Sequence, residues 1–170
     1  MKYDFIIKAA LMGFLITLTL SAISEVLLTN FNVLVGFIVL LSFIVLGVFF
    51  DMIGIAVTAA DISPFNAMAA KKEKGGKTGV EIIQNAPKVA SILTDIIGDI
   101  CGIISGTAAV AIAIVVADIS GLSTFSLILL LTSTTAALTI GGKALGKEIA
   151  MKYSKEIVLI FAKTIARREK

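Results

Sequence analysis

The sequence contains no histidine and a single cysteine, Cys101. A zinc site, a disulfide framework and histidine-based acid–base catalysis therefore lack their usual residues. No nucleophile beside a general base is visible in the pattern, so we do not expect an enzyme. Cys101 lies in an apolar segment, where a small packing residue is the ordinary interpretation.

Positive charge is absent from long parts of the chain. All 15 Lys and Arg residues fall into three groups, at residues 2–8, 71–88 and 143–170. The stretches between these groups are strongly apolar, in a chain that is 58 % hydrophobic with a mean hydropathy of +1.03. This composition excludes an ordinary soluble domain of 170 residues. The net charge of +3 fits membrane orientation better than nucleic-acid binding.

The apolar stretches predict four transmembrane helices, because each helix needs about 20 mostly apolar residues. The segments are at 5–28, 33–60, 89–117 and 123–140. Basic residues stay on the cytoplasmic side of a membrane. In one orientation no Lys or Arg lies in an outer loop, and both termini are then cytoplasmic. We therefore predict an all-α, multi-pass protein in the lipid bilayer of the plasma membrane.

Two further helical elements are predicted on the inner side. Ser63 followed by Pro64 is typical of a helix start with Ser63 as the capping residue, and Gly75-Gly76 break the chain. Residues 62–88 therefore predict an inner-leaflet helical hairpin, although a solvated basic connector fits the same composition. The tail, 143–170, alternates apolar and basic residues at near-helical spacing, which predicts an amphipathic juxtamembrane helix.

Three of the acidic residues in or beside the apolar stretches stand out: Asp51, Asp95 and Asp99. Charged side chains at membrane depth are costly and usually face a cavity or a partner. Asp95 and Asp99 are four residues apart, so a helix places both carboxylates on one face, where a bound cation would relieve their repulsion. Oxygen ligands suit hard ions such as Mg2+. Asp95 also fits a solvated residue at a helix start.

The residues around these carboxylates resemble a known family. The run at 49–59, Phe-Phe-Asp-Met-Ile-Gly-Ile-Ala-Val-Thr-Ala, resembles an opening motif of the CNNM/CorB–CorC magnesium transporter membrane domain, Phe-Phe-Ser-Gly-Ser-Glu-x-Ala-Leu-Thr-Ser. Residues 97–99, Ile-Gly-Asp, resemble its Ile-Gly-Asn motif and precede Gly-Ile-Ile-Ser-Gly at 102–106. Residues 142–150 resemble the start of its juxtamembrane helix. The resemblance covers roughly residues 45–165.

The resemblance implies a site that holds a dehydrated cation near the membrane centre. Carried over position by position, the family's ligands fall on Asp51, Asp99 and Lys143, with Asp95 as a rival to Asp99. Thr58 is a weaker candidate that would line the vestibule. Lys143 replaces an acidic residue of the family, and it fits either a charge partner of a carboxylate or an ordinary positive-inside anchor.

The resemblance also implies the domain organisation. Residues 1–31 become an extra N-terminal membrane helix, 32–142 the family-like core with its hairpin, and 143–170 a cytosolic juxtamembrane helix. We expect a homodimer that packs through the glycine-rich third and fourth membrane helices. The family's regulatory CBS domains have no counterpart in this sequence.

We therefore expect a minimal CNNM/CorB-like transporter of a divalent cation. Mg2+ is the first candidate ion, and Na+ or protons are candidate coupling ions. Two alternatives stay open because of the substitutions at the site. One is a non-transporting scaffold or partner subunit that keeps the fold but has lost the ion site, as Lys143 suggests; an unidentified cytosolic partner is a separate open possibility. The other is a proton- or sodium-responsive regulator in which paired carboxylates titrate.

Overall fold

The computed structural model describes residues 7, 10, 11, 13–19, 22 and 33–166. This part of the chain is almost entirely helical and contains no β-strand, as predicted. Three stretches within it are long and apolar enough to cross a membrane: Val33–Ala59, Ala86–Ser120 and Thr124–Lys152. They indicate a membrane protein, since a helix satisfies its backbone polar groups internally. The predicted first segment, 5–28, lies largely outside the described residues, although 13–19 are helical.

Helix α1 spans Val33–Ala59 and has 27 residues. No charged residue precedes Asp51 within this helix. The hydroxyl of Ser42 donates to the carbonyl oxygen of Ile38 at 2.7 Å, so this polar group is satisfied by its own helix. The helix is therefore suited to lipid until it reaches Asp51.

Two short helices follow, α2 at Ser63–Ala70 and α3 at Gly76–Gln84, and they pack against each other. The prediction that Ser63 caps α2 is wrong, because Ser63 is its first helical residue. The carboxylate of Asp61 instead accepts a hydrogen bond from the Ser63 N–H at 3.0 Å. The turn before α3 ends at Gly75, whose φ of +86° favours glycine. An inner-leaflet position for this pair stays a prediction.

The second long apolar stretch contains a π-helical segment. Helix α4 spans Ala86–Ser91, the π-helix spans Ile92–Gly98, and α5 spans Asp99–Ser120. Pro87 lies in the first turn of α4, where a missing N–H breaks no helical hydrogen bond. π-helices are rare and often occur at functional sites. The predicted segment 89–117 is thus longer and less regular in the structure.

Helix α6, Thr124–Lys152, continues for 29 residues and runs through Gly141 and Gly142. The predicted boundary at residues 142 and 143 is therefore not a helix boundary. Each glycine weakens a helix by about 1 kcal/mol relative to alanine, which a long flanking helix tolerates. The break comes at Tyr153, and a separate helix, α7, spans Ser154–Ile165. The predicted single helix over 143–170 is in fact the end of α6 followed by α7.

The chain divides into two compact units. The first unit comprises Met1–Gly47 and Gly98–Gly142, and the second comprises Val48–Ile97 and Lys143–Lys170. In the first unit, α1 and α5 approach closely at Gly47, where an added Cβ would lie 3.0 Å from the Cβ of Cys101. Cys101 is buried there, in keeping with a packing role.

The core of the second unit centres on Phe65, which has no exposed surface. An added Cβ at Gly79 would overlap the Phe65 ring, so α3 lies directly against it. Val158 and Ala162 of α7 are also fully buried and belong to the same cluster. The apolar side of the tail helix thus packs within the protein rather than lying wholly free for a lipid surface.

Candidate functional site

An ion pair joins α1 and α6 within the second unit. The Nζ of Lys143 lies 3.6 Å from Oδ1 of Asp51. The Asp51 side chain retains 13 % of its accessible surface and the Lys143 side chain 29 %. Both charges are therefore partly withdrawn from solvent, and each lowers the cost of burying the other.

The two charged residues lie at similar positions along their helices. At roughly 1.5 Å per residue, α1 rises about 27 Å from Val33 to Asp51, and α6 rises about 28 Å from Thr124 to Lys143. A hydrocarbon core is about 30 Å thick. On the predicted orientation, the ion pair therefore lies close to the cytoplasmic boundary of the hydrocarbon core, and not near the membrane centre as the resemblance implies.

Gly146 lies where α6 packs against α1, beside the ion pair. This glycine is buried, and an added Cβ would lie 3.4 Å from Cγ1 of Val48 and 3.6 Å from Cβ of Met52. Gly146 is one helical turn beyond Lys143, and Val48 and Met52 flank Asp51. An added methyl group would make ordinary van der Waals contacts at this point, so α6 packs on α1 here without requiring glycine.

Gly54 of α1 is a tighter packing position than Gly146. An added Cβ at Gly54 would lie 2.6 Å from Cγ2 of Thr94 and 3.4 Å from the carbonyl oxygen of Ala90. The π-helical segment therefore packs directly on α1 one turn beyond Asp51. The close fit depends on glycine at position 54.

Asp95 lies in this π-helical segment and is bound by hydroxyl groups. Ser91 donates to its Oδ2 at 2.8 Å. The Thr94 hydroxyl lies 2.8 Å from its Oδ1 and 3.0 Å from the Ala90 carbonyl oxygen, so it can donate to either. Asp95 is exposed, and both hydroxyl partners belong to its own helical stretch. This arrangement holds the carboxylate in place without requiring a cation.

We expect Gly54→Ala to destabilise the protein by about 1–3 kcal/mol, because the new methyl group overpacks against Thr94. Replacing Thr94 by Ser removes the overlapping Cγ2 and keeps the hydroxyl beside Asp95. Gly54→Ala/Thr94→Ser should therefore recover most of the lost stability. Thermal unfolding in detergent measures both effects.

Gly102→Ala is the matched control, since no neighbouring atom lies within 4 Å of a Cβ added there. Alanine at this helical position should be neutral or slightly stabilising. Equal effects at Gly54 and Gly102 would contradict the proposed contact.

The other predicted residues are placed as follows. Thr58 is exposed, and its hydroxyl donates to the carbonyl oxygen of Ile55 at 2.8 Å, which leaves the hydroxyl oxygen able to accept. Asp99 is the first residue of α5 and is exposed. It belongs to the first unit, whereas Asp51, Asp95, Thr58 and Lys143 belong to the second. The joint ion site of Asp51 and Asp99 thus stays a prediction.

Within the part of the chain that the structure describes, no three His, Cys, Asp or Glu side chains form a group that could hold a metal ion. Any cation bound at Asp51 would therefore take further ligands from hydroxyl groups, backbone carbonyl groups or water. Such a mixed oxygen shell is common for hard cations.

A cavity of about 510 Å³ lies at the turn between α5 and α6. Its lining includes Asp118 and Gly121 and none of the predicted ligands. The candidate site is therefore defined by the ion pair rather than by this cavity.

No protein-family profile, no curated protein and no solved structure matches this chain.

Sequence reasoning missed three features near the site: the hydroxyl of Ser91, the packing of Gly146 against α1 and the π-helix. Ser91 lies four residues before Asp95, a spacing at which a helix brings side chains together, so this partner was detectable. Gly146 follows Lys143 by three residues and could have been interpreted as a close-packing position. The π-helix leaves no comparable pattern in the sequence.

Proposed function

We propose that this protein is a small membrane cation transporter, with an organisation resembling the CNNM/CorB–CorC membrane domain. Mg2+ is the first candidate ion, with Na+ or protons as coupling ions. The observation that carries the proposal is the Asp51–Lys143 ion pair, which is partly buried where two apolar helices meet. An ionisable residue within a membrane helix is by default a candidate for an ion pathway.

The chemistry of Asp51 supports a cation rather than an anion or a neutral substrate. A carboxylate is a preferred ligand of hard cations. Its present partner, the ammonium group of Lys143, is itself a cation held at 3.6 Å. Replacing one cation by another leaves the carboxylate compensated, so the site can exchange its partner without exposing a bare negative charge to an apolar environment.

The proposal also includes the number of membrane helices, their orientation and the oligomeric state. Four membrane helices with cytoplasmic termini keep every Lys and Arg at residues 71–88 and 143–170 on the inner side. The α2–α3 pair and α7 would then lie at the inner leaflet of the plasma membrane. A homodimer through the glycine-rich α5 and through α6 would complete the assembly.

A second candidate function is a non-transporting scaffold or partner subunit. The same ion pair favours it, because Lys143 already compensates the charge of Asp51 and can act as a permanent structural partner. The two candidates differ in whether Asp51 ever exchanges Lys143 for an ion.

Cation flux through the reconstituted protein tests the proposal. We expect proteoliposomes containing the full chain to take up Mg2+ saturably and faster than protein-free liposomes. Imposed Na+ and pH gradients identify the coupling ion. Flux equal to the protein-free background for Mg2+, Na+ and protons would overturn the transporter and favour the scaffold.

A further inference from the structure

We infer that Lys143 is an internal competitor for the cation that binds Asp51: its ammonium group occupies the carboxylate at rest and leaves when the ion arrives. This inference rests on the proposed function and specifies how its site is controlled. It makes Lys143 the residue that sets both the affinity and the ion selectivity of the site.

The geometry of the pair fits an exchangeable contact. A close charge-assisted hydrogen bond has a length of about 2.7–2.9 Å, whereas Lys143 Nζ lies 3.6 Å from Asp51 Oδ1. Lysine is a point charge on a flexible four-carbon stem, so it can withdraw without moving its helix. The 29 % exposure of the Lys143 side chain leaves room for this withdrawal.

The surrounding packing holds the two helices while the side chain moves. Val48 and Met52 of α1 lie beside Gly146 of α6, and Thr94 of the π-helical segment lies close against Gly54 of α1. Both contacts flank Asp51 on α1 and neither involves the Lys143 side chain. The carboxylate therefore keeps its position whether Lys143 or an ion is bound.

Charge predicts which ions Lys143 disfavours most. An ion can bind only those molecules in which Lys143 has left Asp51. Its apparent affinity is therefore the intrinsic affinity multiplied by the fraction of such molecules. This penalty is the same for every ion. Repulsion between the displaced ammonium group and the ion adds a second penalty that is proportional to the ion's charge. Lys143 therefore discriminates against divalent cations more strongly than against monovalent cations.

The test measures ion affinity from the saturable rise in thermal stability of the detergent-purified full chain with Mg2+ or Na+. If Lys143 occupies Asp51 in about 90 % of molecules, Lys143→Gln should tighten Na+ binding about tenfold, and Mg2+ binding by more. Lys143→Arg should weaken binding of both ions, because arginine stays charged and pairs bidentately with a carboxylate. Lys147→Gln, one turn further along α6 and exposed, is the matched control and should change affinity less than about twofold.

Each outcome decides the inference. Unchanged or weaker binding in Lys143→Gln, with Asp51-dependent binding in the wild type, would overturn the competitor and leave the transporter standing. Binding that appears only in Lys143→Gln would overturn the inference, because Lys143 would then be a permanent partner of Asp51 that no ion displaces. Absence of binding in wild type and Lys143→Gln alike would overturn both the site and the inference. If Lys143→Gln does not fold, the Lys143→Arg variant tests the inference instead. Ion binding by Lys143→Arg that is as tight as in the wild type, or tighter, would contradict it.

Discussion

Asp51→Asn is expected to reduce Mg2+ flux through the reconstituted protein more than about 100-fold, since even outer-shell partners of metal ligands contribute 10–100-fold. Asparagine keeps the size of the side chain but removes the negative charge that compensates either Lys143 or an ion. A neutral amide cannot draw a cation from water into a partly apolar site. Initial uptake rates in proteoliposomes, at equal protein content, measure the effect.

Two further variants separate loss of the site from loss of the fold. Asp51→Asn removes the carboxylate that compensates the partly buried Lys143 ammonium group. The loss of this compensation destabilises the protein by itself. Asp51→Asn/Lys143→Gln removes both charges and should recover thermal stability while flux stays absent. Asp118→Asn, an exposed carboxylate elsewhere in the chain, should transport like the wild type. Full transport by Asp51→Asn would contradict a cation site at Asp51.

The second large effect concerns stability. Phe65→Ala is expected to destabilise the protein by about 3–5 kcal/mol, because Phe65 is fully buried at the centre of the second unit. An apparent melting temperature in detergent should fall by roughly 10 °C. Phe125→Ala is the matched control, since Phe125 is 72 % exposed on α6 and its loss leaves no internal cavity. Equal shifts for the two variants would contradict this description of the core.

The contact between Phe65 and Gly79 offers an independent check. Gly79→Ala should destabilise the protein because the added methyl group overlaps the ring. Phe65→Leu shortens the side chain and opens space at the same point. The double variant should be more stable than the sum of the two single effects predicts, since neighbouring residues couple. Strict additivity would mean that the two residues are not in contact.

The long helices could be predicted from the sequence because lipid imposes a simple rule on it. An apolar run near 20 residues must become a helix, and α1, α5 and α6 follow this rule. Their ends were harder to predict. Gly141 and Gly142 are typical chain breakers in water, but in α6 they continue a helix whose flanking residues favour it.

The candidate site was only partly predictable for a related reason. Asp51 and Lys143 stand out as charges beside apolar runs, which any hydropathy pattern shows. Their pairing depends on the packing of α1 against α6, which is a tertiary property. Asp95 was expected to lie in regular helix with Asp99, but the π-helix places it in an irregular segment with Ser91 and Thr94 as partners. The sequence pattern therefore shows where the charged residues lie, whereas the packing of the helices determines which residues they contact.

The depth of the Asp51–Lys143 pair also determines how membrane voltage would act on the proposed transport. On the predicted orientation, an ion from the cytoplasm reaches Asp51 after crossing little of the electric field. Almost the whole field then lies between Asp51 and the outside, and each elementary charge moved across it involves about 2.3 kcal/mol per 100 mV. For a divalent cation this amounts to about 4.6 kcal/mol per 100 mV. An inside-negative potential would then be sufficient to drive import, whereas export through the same site against that potential would require a coupled ion.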